Sequence, residues 1–147
     1  MKGIKNFEEY IEDGTVNKIK PDINRAKFLR QEVDKRFDFL KVLLDRIGLK
    51  EDNANYFIEN CYNILSELLR AKMLIDGHSA SGFGAHEAEV AYMKNLCFPD
   101  SDVIFMNDLR YFRNGIQYYG KIIDKEYADK ILSFTNKIAP KLKKLIS

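Results

Sequence analysis

The sequence contains few cysteines and histidines, and this shortage disfavours two ways of stabilising a small domain. Cysteine occurs only as Cys61 and Cys97, without a CxxC spacing, and histidine occurs only as His78 and His86, eight residues apart around a glycine-rich loop. A disulfide framework or a zinc site needs more such residues at recurring spacings. We therefore expect neither a metal nor a cofactor.

Long apolar runs are also missing from the sequence. No run approaches the roughly 20 residues that a helix needs to cross a bilayer. The first residues, "MKGIKNFEEYIEDG", carry charges where a signal peptide has an apolar segment. We therefore expect a cytoplasmic protein with no membrane partner.

The chain has no strong excess of either charge. It has 24 Lys and Arg against 22 Asp and Glu, which gives a formal net charge of +2. This value is too small to indicate nucleic-acid binding by bulk electrostatics, although a local cluster can still bind an anion. A length of 147 residues suits one domain with a sizeable core. We expect a single domain over residues 1–147, with residues 1–20 as an N-terminal arm that begins with a short helical turn.

The sequence is rich in apolar residues spaced by three and four, which is the pattern of amphipathic helices. Two long helices are predicted in the first half. One lies between Pro21 and Gly48, and the other begins at Asp52 or Asn53 and ends before Gly77. Proline near a helix start, asparagine or aspartate at the N-cap and glycine just past the end are the usual signals for these boundaries.

Two further long helices are predicted in the second half of the chain. The third begins at Ser101 or Asp102 and ends at Gly120, and the fourth begins near Asp124, with Pro140 expected to kink or break it near its end. The apolar face predicted for the third long helix consists of Phe105, Leu109, Phe112, Ile116 and Tyr119.

The segment between the second and third long helices contains a predicted short helix at about 87–95. No segment shows a strong β alternation, and short connections favour antiparallel neighbours. The sequence therefore predicts an all-α fold, an up-and-down four-helix bundle with one additional short helix.

The third long helix carries the stretch "RYFRNGIQYYGK", whose polar residues lie opposite its apolar face. At about 100° of rotation per residue, the polar residues of this stretch lie within a sector of roughly 100° around the helix axis. Tyr118 lies at the edge of that sector. Such a stripe is typical of a solvated helix surface. Arginine forks can also hold phosphate, asparagine can orient a ligand and a phenol can donate or accept a hydrogen bond. The polar residues of the stripe are Arg110, Arg113, Asn114, Gln117 and Lys121.

The word order of "LRYFRNGIQYYGK" resembles the signature helix of the HEPN superfamily (higher eukaryotes and prokaryotes nucleotide-binding domain). In that helix an Arg-Asn pair is followed by a histidine four to six residues after the arginine. The resemblance covers nearly the whole chain. Residues 14–40 look like the N-terminal arm and first helix of archaeal members, "YNILSELLRAKMLIDGHSA" looks like their second helix, and "AHEAEVAYMKN" looks like the short helix that follows.

The resemblance implies an all-α bundle, usually a homodimer that brings two copies of the motif helix into one cleft. Many members are metal-independent ribonucleases, often toxins paired with a minimal nucleotidyltransferase antitoxin, and others bind nucleotides or RNA without catalysis. Arg113 and Asn114 match the Arg-Asn pair, but Tyr118 stands where the family has histidine. A tyrosine with an ordinary pKa of about 10 is a poor base near neutral pH.

This departure favours a binding protein over a nuclease. The sequence predicts a nucleotide- or RNA-binding homodimer that partners a minimal nucleotidyltransferase, in a toxin–antitoxin-like or nucleotide-handling system. The predicted binding residues are the five polar residues of the stripe together with Tyr118. The resemblance also implies that Tyr111, Tyr118 or Tyr119 accepts a nucleotidyl group.

Two other functions remain open. One is a metal-independent endoribonuclease in which Arg113, Asn114 and Tyr118 are catalytic, or in which His86 replaces the motif histidine. The other is a helical scaffold unrelated to nucleic acids. Glu67 and Arg70 have the i,i+3 spacing of a surface ion pair on the second long helix, and Arg70 is an alternative anion-binding group.

Overall fold

The computed structural model describes residues 3–119 and 124–146, and for residues 116–119 it describes the backbone alone. The described chain is mostly helical, with one small antiparallel sheet. The helices are α1 (Phe7–Glu12), α2 (Ile23–Arg46), α3 (Ala54–Ile75), α4 (Ala85–Asn95), α5 (Asp100–Tyr119) and α6 (Lys125–Ile146), and the strands are β1 (Val16–Lys18) and β2 (His78–Ala80).

The predicted signals at the end of α2 and at the start of α3 are present, whereas α2 begins after Pro21 with a cap, Asp22, that was not predicted. The Asp22 side chain accepts a hydrogen bond from the backbone N–H of Arg25 at the start of α2, at 3.1 Å. Gly48 follows α2 with a positive φ of 82°, the conformation that favours glycine past a helix end. Asn53 is the N-cap of α3. Its side chain bonds the backbone of Lys50 and Gly48 and so ties the connecting loop together.

The core is built around α3, which contacts α2 and α6 along its length and also packs against α4 and α5. Most of its side chains are buried, including Cys61. The burial of these apolar side chains supplies most of the driving force for this packing. Its largest fully buried side chains are Tyr62, Ile58, Ile64, Leu65, Leu68, Leu69, Met73 and Leu74.

The sheet was not predicted from the sequence. β1 and β2 pair antiparallel, with Val16 opposite Ala80 and Lys18 opposite His78. Each strand has three residues, which is too short to show an alternating pattern. The pairing holds the N-terminal segment against the loop after α3, and Phe7 and Tyr10 of α1 are buried in a small apolar cluster with residues of α3 and α4.

The prediction for the apolar face of α5 was wrong in part. Leu109 is buried, but Phe112 is 43% exposed, and the core positions next to Leu109 are Val103 and Met106. The aromatic side chains instead lie at the seam with α6, where the rings of Phe112 and Tyr127 have centroids 4.7 Å apart. The predicted core positions Ile116 and Tyr119 lie outside the described side chains.

The expected break at Pro140 does not occur, because α6 continues through Pro140 to Ile146. The helical terminator predicted at Gly120 lies outside the described residues. Among the described helices, none is long and apolar enough to cross a membrane.

Candidate functional site

Arg113, the arginine of the Arg-Asn pair, does not lie on a fully solvated face. Its guanidinium lies over the ring of Tyr62 of α3, with the Cζ atom 5.5 Å from the ring centroid. The Nε atom of Arg113 is buried and has no hydrogen-bond partner among the described residues. Because buried donors are nearly always satisfied, this donor needs a partner that the described residues do not supply.

Arg110 lies one turn earlier on the same helix. Its Nε atom donates to the Oδ1 atom of Asn107 at 3.1 Å, and its guanidinium lies over the ring of Tyr111, 4.6 Å from the centroid. The two contacts hold the guanidinium plane in a defined orientation. Tyr111, one of the three tyrosines predicted as nucleotidyl acceptors, is 45% exposed.

Tyr62 stands among several charges although its side chain is only 1% exposed. Burial raises the pKa of its phenol, and the nearby carboxylate of Glu89 raises it further, whereas the positive charges of three arginines oppose the rise. The phenol therefore stays protonated at neutral pH. We call the three arginines around Tyr62 the arginine cluster: Arg70, Arg110 and Arg113.

The single carboxylate beside Tyr62 belongs to Glu89, which is 2% exposed. One Glu89 oxygen accepts a hydrogen bond from Ser66 Oγ at 2.7 Å and lies 3.2 Å from His86 Nδ1. The other oxygen accepts from Arg70 Nε at 3.0 Å. We call these four residues the Glu89 network. It joins α3 to the first turns of α4 and satisfies the buried carboxylate with three partners.

The Glu89 network keeps its carboxyl ionised. Burial alone would raise the pKa of Glu89, but the hydrogen bond from His86, the charge of Arg70 and the hydrogen bond from Ser66 together lower it below its ordinary value. The carboxylate is therefore negative at neutral pH and is already matched by the charge of Arg70. The charges of Arg110 and Arg113 are left without a carboxylate ion pair among the described residues.

The ion pair predicted between Glu67 and Arg70 does not form. Glu67 instead accepts two hydrogen bonds from Arg36 of α2, at 3.1 and 3.0 Å, and Arg70 binds Glu89. The spacing of Glu67 and Arg70 along α3 would allow the two side chains to pair. Each side chain instead binds a partner on a neighbouring helix.

The remaining predicted residues of the stripe are only partly covered by the structure. Asn114 is half-buried in α5. Gln117 and Tyr118 lie in the helical backbone of α5, but their side chains are outside the described residues, and Lys121 is outside them altogether.

The sequence analysis missed Tyr62, Ser66 and Glu89. A signal was present for Glu89, because it is an acidic residue inside the short apolar run "AEVAYM", and an acidic residue on a buried helix face needs partners. Tyr62 and Ser66 gave no such signal, since tyrosine and serine are common in helices of either exposure.

The chemistry of the site is that of anion binding. Guanidinium groups bind phosphate or carboxylate with paired donors, and the site offers three of them against one carboxylate that is already paired. In the described part of the chain, no group of three or more His, Cys, Asp and Glu side chains is arranged to hold a metal ion. Comparison of the chain with protein-family models, curated proteins and solved structures finds no significant match.

Proposed function

We propose that this chain is a HEPN-type helical protein that binds RNA or a nucleotide through the phosphate, and that Arg113 is the main phosphate ligand. The observation that supports the proposal is the buried Nε atom of Arg113, which has no partner among the described residues. A guanidinium with one N–H unpaired still has hydrogen-bonding capacity that a phosphate would use.

The surroundings of Arg113 support the same proposal. Tyr62 holds the guanidinium from one side, and Arg110, one helical turn away, adds a second positive charge. An arginine held in place by an aromatic ring loses less conformational freedom when it binds a ligand. Asn114 and Tyr118, the next residues of the motif, complete the proposed site.

The proposed arrangement is a four-helix bundle of α2, α3, α5 and α6, with α4 as the additional short helix, and it acts as a homodimer beside a minimal nucleotidyltransferase. Two apolar residues on α5 support a second copy of the chain as partner. Ile104 and Tyr111, seven residues apart, are 61% and 45% exposed. A spacing of seven places them on one helix face, as a helix–helix contact requires.

We expect the Arg113→Ala variant to bind single-stranded RNA at least about tenfold more weakly than the unchanged protein, since one charge-assisted hydrogen bond to phosphate is lost. Filter retention of labelled RNA at fixed salt concentration measures this. Arg46→Ala is the matched control, because Arg46 is exposed in the last turn of α2 and its loss removes the same charge. Equal retention by the two variants would refute the role of Arg113, and circular dichroism checks that both are folded.

A second function is favoured by one specific observation. His86 also packs against Tyr62, with ring centroids 6.1 Å apart, so the same ring contacts both Arg113 and a histidine whose Nδ1 atom lies beside Glu89. A histidine oriented by a carboxylate is a common acid–base group. The alternative function is a metal-independent endoribonuclease with His86 in the role of the motif histidine.

We expect the purified protein to bind labelled RNA in EDTA without cutting it, because the tyrosine at the position of the motif histidine is a poor base near neutral pH. Gel analysis of the RNA after incubation tests this. Cleavage that disappears in both Arg113→Ala and His86→Asn would establish the nuclease and overturn the binding-only proposal. Cleavage that disappears in Tyr118→Phe would assign the chemistry to the phenol.

A further inference from the structure

A polar cavity of about 290 Å³ lies where the loop after α3 meets the start of α4. Strand β2, which is paired with β1, forms one wall of this cavity, and Glu89 and His86 of the Glu89 network reach it from α4. We call it the loop cavity. Its polar lining consists of Arg25, Arg70, His78, Ser79, His86 and Glu89.

The side chains that line the loop cavity carry more positive than negative charge. Its one carboxylate, Glu89, is already bound by Ser66, Arg70 and His86. Arg70 uses only its Nε atom for this contact, so its two Nη groups have no acceptor among the described residues. Arg25 is exposed, and its guanidinium has no ion pair or hydrogen bond with the described residues, so its donors face solvent. An anion would satisfy these donors.

His78 adds a donor or acceptor that the protein does not use. Its Nδ1 atom is buried without a hydrogen-bond partner among the described residues. The ring cannot easily turn away, because it packs edge-on against Phe7, with centroids 5.1 Å apart, and against Tyr92, at 5.8 Å. The described residues therefore leave one nitrogen of a fixed ring without a partner.

We infer that the loop cavity binds a phosphate group. Arg25 and Arg70 supply guanidinium donors, and His78 and His86 supply imidazole nitrogens around it. Arg113 does not line the cavity, although the cavity shares Arg70, His86 and Glu89 with the candidate functional site. The inference therefore adds a second ligand position to the proposed RNA-binding function. The phosphate comes either from inorganic phosphate or from a nucleotide.

One residue at the loop cavity distinguishes these two sources. Phe83 is fully exposed and lies between Gly82, which lines the cavity, and Gly84. Both glycines have positive φ, 76° and 90°, so the loop turns sharply on either side of the ring. An exposed aromatic ring can stack on a nucleotide base, whereas inorganic phosphate has nothing to stack.

The test is a titration of ¹⁵N-labelled protein, in phosphate- and sulfate-free buffer, first with sodium phosphate and then with adenosine monophosphate. We expect the amide signals of residues 77–85 and the Nε–H signals of Arg25 and Arg70 to shift with both ligands. The Arg25→Glu variant should bind at least about tenfold more weakly. Arg46→Glu, which makes the same charge change about 30 Å away at the other end of α2, should bind as the unchanged protein does.

The outcomes separate this inference from the proposed function. Shifts confined to the signals around Arg113, or equal binding by Arg25→Glu and Arg46→Glu, would overturn the phosphate site in the loop cavity and leave the role of Arg113 untouched. Tighter binding of the nucleotide that is lost in Phe83→Ala identifies a nucleotide as the source. Equal binding of both ligands, unaffected by Phe83→Ala, identifies inorganic phosphate.

Discussion

Replacing Glu89 by glutamine will lower the free energy of unfolding by about 3 kcal/mol at neutral pH. Glutamine keeps the shape of the side chain but removes the charge that balances Arg70 inside the protein. It also replaces one acceptor oxygen by an NH₂ donor, which will face Ser66 and His86 or Arg70 with no lone pair to offer. Equilibrium unfolding in urea measures the loss as a lower transition midpoint.

The effect of Glu89→Gln will depend on pH with a definite sign. The pKa of Glu89 is lowered in the folded protein, so the carboxylate contributes stability above the ordinary carboxyl pKa and loses it as the pH falls toward the lowered value. We therefore expect the stability difference between the two proteins to be constant above about pH 4.5 and to shrink below it.

Glu67→Gln is the matched control for this prediction. Glu67 also accepts hydrogen bonds from an arginine, Arg36, but the Arg36 side chain is 37% exposed and that of Glu67 15%, against 3% for Glu89. A pair open to water contributes at most about 1 kcal/mol. If Glu89→Gln costs no more than Glu67→Gln, the Glu89 network does not stabilise the fold.

The helices were the part of the fold that could be predicted from the sequence. α2 and α3 begin and end within two residues of the predicted boundary signals at Pro21, Gly48, Asn53 and Gly77, because a long apolar stripe and its boundary residues are local features. The β1–β2 pair could not be predicted, since strands of three residues leave no local pattern and these two are separated in sequence by the whole of α2 and α3.

Only the part of the candidate site that lies on a single helix could be predicted from the sequence. The stripe placed Arg110 and Arg113 together, because both lie on α5. The contact of Arg113 with Tyr62 depends instead on the rotation of α5 relative to α3, which periodicity does not determine. The exposure of Phe112 could not be predicted for the same reason. How much of its ring is covered depends on its contact with Tyr127 of α6.

Replacing Gly77 by alanine will destabilise the fold by about 3 kcal/mol. Gly77 has a φ of 87°, and a Cβ atom there would lie 2.9 Å from the carbonyl oxygen of Ile19. That oxygen cannot move freely, because the N–H of Ile19 donates to the carbonyl of Gly77 at 2.8 Å. The substitution must therefore strain the left-handed backbone and also push apart two segments that are bonded to each other. Thermal or urea unfolding measures the cost.

Gly82→Ala separates the two contributions to this cost. Gly82 has a similar φ of 76° in the same loop, but a Cβ atom there would meet nothing within 4 Å. Its replacement should cost only the left-handed strain of about 1 kcal/mol. The difference between the variants then reports how firmly the N-terminal segment is held against the end of α3. Equal costs would mean that this contact yields. In that case the wall of the loop cavity formed by β2 is not rigid enough to place His78 for a ligand.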